Sequence, residues 1–349
     1  MNRILLFLLP LVALSGCGSS GDRSPITIDI WYGDHQEFGQ LGMPQQWINI
    51  LGNVQSENGI KNFTYQLNNA EPKALTLGSD LHRLAAFGDF NVDLKVNDCE
   101  EGENRLKLIA LDSGEQSLIK EIILSVKKNN QWPLPYSINW AEVEKLQDVL
   151  QVVDGHWKIT KDGLHNLDTY YDRAVAFGDT SWTNYEVSTT VTFHHFTPPE
   201  KGPPTYHVSH AAIASRWPGH CKDELQPCRQ WYPLGATSEL RLTEGLDSCR
   251  WRIFDGPKPE SIGFYVEQEV EAYRTIELNK VYGMKHRVET IGIDSTRYSV
   301  KLWPRDHEEP KDWDFSGIEL DENLAAGSAL LLAHNTGVTF GDVEVIAIE

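Results

Sequence analysis

Residues 26–30 read Ile-Thr-Ile-Asp-Ile and residues 92–96 read Val-Asp-Leu-Lys-Val, so apolar and polar side chains alternate with a period of two. Successive side chains of an extended chain point to opposite faces. Ile26, Ile28 and Ile30 therefore share one buried face, as do Val92, Leu94 and Val96, and both stretches are expected to be half-buried strands. Outward from them, further strands are predicted at Trp47–Val54, Phe63–Leu67, Ala74–Leu77, Arg105–Leu111 and Lys120–Val126, separated by Asn, Asp, Ser and Gly residues that favour turns. About seven strands in some hundred residues predict a small sandwich over 26–128.

The chain has 349 residues, more than the roughly 250–300 at which one core stops growing, so a second domain is expected. Residues 129–149 hold Pro133 and Pro135 and suit a semi-rigid linker, with Val143, Leu146, Val149 and Leu150 on one face of a short helical connector. Beyond Leu150 strand patterns return at Trp157–Thr160, Tyr185–Phe193, Tyr206–Ala214, Gly263–Val270, Tyr282–Thr290, Tyr298–Trp303, Ala329–His334 and Val338–Ile346. About eight strands over 150–349 suffice for a double-sheet jelly roll, so the fold class is all-β.

Two resemblances sharpen this. Phe90, Asn91, Val92, Asp93 and Leu94, then Gly102, Glu103 and Asn104, then Ala110 through Gly114 are similar to the last strands of bacterial immunoglobulin-like domains. In the second domain Asp154, Gly155 and Trp157, then Arg173, Gly178, Asp179, Trp182, Tyr185 and Val187, then Val338, Phe340, Asp342, Val343 and Val345 resemble the concanavalin A-like lectin and glucanase superfamily, its laminin-G-like branch above all. That resemblance implies first and last strands lying side by side. It also implies a structural Ca2+ near them, for which Asp154, Asp179 and Asp342 offer hard oxygen ligands.

The first sixteen residues carry Arg3, an apolar run from Ile4 to Leu14, and Leu14-Ser15-Gly16 before Cys17. The run is too short to span a bilayer and suits a signal peptide. The ending resembles a lipobox, which implies cleavage before Cys17, a lipid on Cys17, and a tether over 17–25. Gly18 after the cysteine favours an outer membrane lipoprotein facing periplasm or cell surface.

The formal charge of −19 excludes nucleic acid and anionic headgroups as partners. An exported compartment permits disulfides, and the loop from Cys221 to Cys228 could close as a staple; the pairing of Cys99 and Cys249 stays open. The cysteine spacing is not that of zinc knuckles.

The E-x-D-x-x-E signature of retaining glucanases and the Gln-x-His strand of related lyases are both absent, although Glu267, Glu269 and Glu271 alternate along one strand. Polar and aromatic residues do concentrate mid-domain: His194, His195, His207, His210, Arg216, Trp217, His220, Trp231, Tyr232, Arg241, Trp251 and Arg252. Rings can stack on sugar faces while Arg and His fix hydroxyls. The ligand-binding candidates are His207, Arg216, Trp217, Trp231, Tyr232, Trp251 and Arg252. The leading expectation is a glycan-binding surface lipoprotein. The alternatives are a polysaccharide hydrolase or lyase, and a structural or adhesive protein without a small ligand.

Overall fold

The computed structural model describes residues 26–80, 82–196, 208–219, 226–228, 235–242, 249–256, 264–266, 275–320 and 324–349. The expected signal peptide, Cys17, His207, His220, Cys221, Trp231, Tyr232 and the Glu267–Glu271 series lie outside them. No described helix is long and apolar enough to cross a membrane.

The chain is all-β. In the first sandwich β1 (Thr27–Ile30), β3 (Trp47–Gln55) and β6 (Asp89–Lys95) make a three-stranded sheet. It faces a five-stranded sheet of β2 (His35–Phe38), β8 (Ser117–Val126), β7 (Gly102–Asp112), β4 (Ile60–Leu67) and β5 (Lys73–Ala74), in that order. The alternating residues meet as their period demands: Phe63, Leu106, Leu108, Ile122 and Leu124 pack against Ile48, Ile50, Phe90, Val92 and Leu94. The strand β2 was not predicted, because His-Gln-Glu-Phe carries little apolar signal. It is held by parallel pairing to β8.

The second sandwich opposes two larger sheets. One runs β10 (Gln151–Asp154), β13 (Arg173–Phe177), β22 (Ser328–His334), β15 (His210–Trp217), β16 (Gly235–Arg241), β17 (Arg250–Gly256) and β18 (Phe264–Val266). The other runs β11 (Trp157–Thr160), β12 (Gly163–Asn166), β23 (Thr336–Phe340), β14 (Tyr185–Phe196), β19 (Val281–Gly292), β20 (Ser295–Pro304) and β21 (Phe315–Leu320), extended by β24 (Val343–Ala347) and β9 (Tyr136–Ile138). Val175, Ile213, Leu240 and Leu331 of the first sheet meet Val187, Val191, Val288 and Phe340 of the second in a continuous core.

Two expectations need correction. The stretch Val338–Ile346 is two strands, β23 and β24, divided at Gly341 and Asp342. The connector from Val143 is not an α-helix: single 3-10 turns at Trp140–Glu142 and Leu146–Asp148 bury Trp140 and Leu146 in the jelly-roll core. Tertiary burial of those apolar side chains outweighs the helical spacing. The last strand, β24, pairs with β9 at Val343↔Ile138, so part of the stretch 129–149 expected to be a linker joins the sheet.

A buried ion cluster joins the sandwiches. Arg83 donates from Nε to Asp154 Oδ2 (2.7 Å) and from Nη1 to Asp93 Oδ2 (2.7 Å). Beside it Asn91 Nδ2 donates to Asp154 Oδ1 (2.8 Å) and Gln151 Nε2 to Asn49 Oδ1 (3.0 Å). The three-stranded sheet is thereby fixed against the β10 end of the seven-stranded sheet.

Candidate functional site

Strand register decides what the outer face of the seven-stranded sheet carries. The partners His334↔His210, His210↔Arg241 and Arg241↔Arg250 place these four side chains in one row across β22, β15, β16 and β17. The neighbouring row is Ala174, Leu332, Ala212, Glu239 and Arg252. The opposite side chains of these strands, Ala211, Leu240 and Trp251, fill the core.

Asp172, at φ +40° just before β13, completes the row. Its Oδ1 lies 2.6 Å from His334 Nδ1, so the carboxylate fixes that nitrogen as the protonated one and leaves Nε2 as the basic atom. The His334 and His210 rings stack at 4.6 Å and 9°, and Tyr171 meets His334 edge-on at 4.6 Å. Burial, helped by His334, Arg241 and Arg252, holds His210 neutral, well below the usual imidazole range. Burial pushes the Glu239 carboxyl up, against the pull of Arg252 and Arg241. These two guanidiniums each lie 3.7 Å from Glu239.

Among the described residues, the buried polar atoms of this face without a hydrogen-bond partner include His334 Nε2, His210 Nδ1, Thr237 Oγ1 and Arg250 Nε. Orphaned buried donors and acceptors each cost on the order of 1–3 kcal/mol, so their concentration on adjoining strands marks a surface shaped for something that completes them.

Asp172, His210 and His334 also place three ligating atoms within 4.8 Å of one another. Two imidazoles and a carboxylate suit a transition metal and not Ca2+, which wants oxygen. The stacked rings oppose even that, because a metal bonds an imidazole in its plane and nearly parallel planes share no such point. The arrangement fits an oriented acid–base pair better than a metal centre.

The residues predicted from sequence separate into two groups. Arg252 lies on this face. Arg216, Trp217 and Trp251 do not, and their assignment as ligand-binding residues is corrected. Arg216 is fully buried with φ +52°, and its guanidinium donates to Thr183 O, Thr296 Oγ1, Leu324 O, Asn184 Oδ1 and Thr290 Oγ1. Every donor is consumed in tying β15 to the opposite sheet. Trp217 is 0 % exposed and packs with Val153, Ala174 and Leu330. Trp251 is in the main core and donates to Asp314 Oδ2 (3.2 Å). A ring inside a core cannot stack on a sugar.

The three calcium candidates are also corrected, because they do not converge. Both Asp154 oxygens are taken, by Arg83 and Asn91. Asp179 accepts from Trp132 N, Ser181 N and Ser181 Oγ as a turn-former, and Asp342 accepts from Trp140 N (3.0 Å). A guanidinium occupies the place where a cation was expected beside Asp154. Among the cysteines, Cys228 is disulfide-bonded, Cys99 is a buried free thiol and Cys249 is buried in the core.

Sequence reasoning missed Asp172, His334, Glu239 and Arg250. The signal for two of them was present: Arg250-Trp251-Arg252 and Glu239-Leu240-Arg241 alternate charged and apolar residues. Asp172 and His334 are 162 positions apart, and register alone unites them.

No protein-family profile matches the chain, and no curated protein matches it. Solved structures similar to parts of it include an endo-β-1,4-mannanase from Thermotoga petrophila (13% identity, 32% of this chain and 22% of that chain, TM-score 0.24). Others are the alginate lyase Aly36B (12% identity, 62% and 99%, TM-score 0.37) and the Ca2+-bound exoplasmic/lumenal domain of VIP36 (11% identity, 56% and 82%, TM-score 0.36). The chain thus spans about a fifth of the mannanase.

Proposed function

We propose that this chain is an exported lipoprotein, anchored through Cys17, whose jelly roll binds a glycan on the outer face of the seven-stranded sheet. The observation that carries the reading is the row of Asp172, His334, His210, Arg241 and Arg250, flanked by Glu239 and Arg252, with buried polar atoms awaiting partners. Three guanidiniums against two carboxylates favour an acidic glycan, whose carboxylates Arg binds in bidentate fashion. The immunoglobulin-like spacer presents this face away from an outer membrane, and Cys221 is the proposed partner of Cys228.

A second reading, cleavage of that glycan, is favoured by the 2.6 Å Asp172–His334 contact. An imidazole oriented through Nδ1 with a free Nε2 is equipped to take a proton. Equilibrium dialysis of the mature protein against acidic and neutral oligosaccharides tests binding. Arg252→Ala and His334→Gln are expected to weaken the acidic ones roughly tenfold, more at low salt than at high. Release of unsaturated or reducing ends tests turnover. Unchanged affinity in both variants refutes the site, and Cys17→Ser is expected to free the protein from membranes.

A further inference from the structure

A second recess, sharing no residue with that row, lies where the sandwiches meet. Its volume is about 980 Å3, and its floor includes Tyr65, Leu67 and Leu94 of the first sandwich with Trp47 at one side. Volumes of roughly 300–1,000 Å3 are those that hold small ligands.

Its walls are held in place. Gln226 exchanges both side-chain amide bonds with the backbone of Asp93, at 3.0 and 3.1 Å, and Cys228 N donates to Asp93 Oδ2 (2.8 Å). The second domain is therefore pinned along the edge of β6. Behind Trp47 stands Gly219, where even a Cβ would approach the indole to 3.2 Å, so the ring is backed against the other domain.

Tyr65 is the polar group that the first sandwich presents to the recess. Its side chain is buried, 4 % exposed, while its hydroxyl is not among the buried polar atoms left without a partner and so opens onto the recess it lines. Burial, with Asp93 and Asp98 nearby, pushes the phenol up to about 12, so it keeps its proton and stays a donor.

The rim selects the ligand's charge. Glu71, Asp93, Asp98 and Glu100 stand against Lys73 and Lys95, so the lining disfavours an acidic group, and none of its described residues is an arginine. An aromatic wall, one fixed donor and a mixed rim suit a ligand with an apolar face and many hydroxyls.

We propose that this junction recess is a second binding site, for a neutral oligosaccharide that stacks on Trp47 and accepts the hydrogen bond of Tyr65. It differs in selectivity from the arginine-bearing row. Titration calorimetry of the mature full chain with cello-, manno- and xylo-oligosaccharides, and with oligouronates for contrast, tests it. At least one neutral ligand is expected to bind, roughly tenfold more weakly to Tyr65→Phe and to Trp47→Ala. His334→Gln is expected to leave that affinity unchanged. Thermal unfolding of Tyr65→Phe should match the parent, since the lost hydroxyl opens onto the recess. Three results overturn the proposal: no neutral ligand binding, equal affinity in Tyr65→Phe, or a destabilised Tyr65→Phe. Neutral binding that vanishes in His334→Gln but survives in Tyr65→Phe moves the ligand to the sheet and refutes this site alone. Loss of oligouronate binding only in the row variants leaves it standing.

Discussion

Replacing Arg83 with methionine is the sharpest perturbation this fold offers. The side chains of Arg83, Asp93 and Asp154 are 1 %, 3 % and 0 % exposed, and the guanidinium also reaches Cys228 O (2.9 Å) and Val153 O (3.3 Å). Methionine fills much of the volume but strands two carboxylates in a dry junction. Breaking a buried pair in this way costs about 3–5 kcal/mol, a large share of the roughly 5–15 kcal/mol that holds a domain together. The pH dependence carries a definite sign. Burial already pushes Asp154 up to about 7, and removing its cation raises it further, so the folded variant binds more protons than the unfolded chain. Stability then falls as pH rises from about 4 through the folded pKa. The variant's deficit against the parent should thus be largest near pH 8 and shrink toward pH 5. Urea unfolding followed by tryptophan fluorescence at both pH values measures it. A deficit under about 1 kcal/mol at pH 8, or an equal one at both pH values, would refute the assignment of Arg83 as the ionic keystone between the sandwiches.

Three further outcomes follow from the second sandwich. His286 is buried with Nδ1 3.0 Å from Ile213 O, and burial lowers it from 6.5 to about 4; stability it contributes at neutral pH should be lost as pH falls from 6.5 toward 4, by about 3 kcal/mol, and His286→Gln should flatten that slope. Arg216→Lys keeps the charge but abandons most of five hydrogen bonds, so a loss of roughly 3 kcal/mol or more in chemical denaturation is expected. Gly283→Ala would put a Cβ 2.4 Å from the Trp303 ring, displacing the indole, with an expected cost of about 1–3 kcal/mol and an altered near-ultraviolet circular dichroism band.

How much could be read in advance depended on which faces meet water. Strand β14 was legible because Ser188, Thr190 and Thr192 are half-exposed between the buried Val187, Thr189, Val191 and Phe193. Strand β13, Arg-Ala-Val-Ala-Phe, is buried at all five positions, and a strand covered on both faces shows no alternation to read. The seven-stranded sheet is hidden for that reason: the first sandwich closes its outer face at β10, and Trp217 with Tyr171 and three alanines extends the cover. The tryptophans misled for the same cause. A two-sided sheet needs large side chains on both faces, and Trp217 and Trp251 supply them instead of meeting a ligand.

The same burial explains why the polar row carries meaning. On an open sheet His210, His334, Glu239 and Arg250 would be solvated and require no account. Here they sit on a face otherwise built from alanine, leucine and tryptophan, where desolvation is expensive and each unpaired atom weakens the fold. Within the row only some of that cost is offset, by Asp172 on His334 and by Arg241 and Arg252 near Glu239. A sheet selected for stability alone would have continued the alanines across β16 and β17. Retention of orphaned nitrogens on adjacent strands is therefore intelligible as preparation for a polar ligand that enters the face and completes them. Substituting His210, which no carboxylate holds by a hydrogen bond, by leucine should then raise the unfolding temperature while weakening acidic-glycan binding. A variant that loses stability would show this imidazole to be an ordinary member of the core.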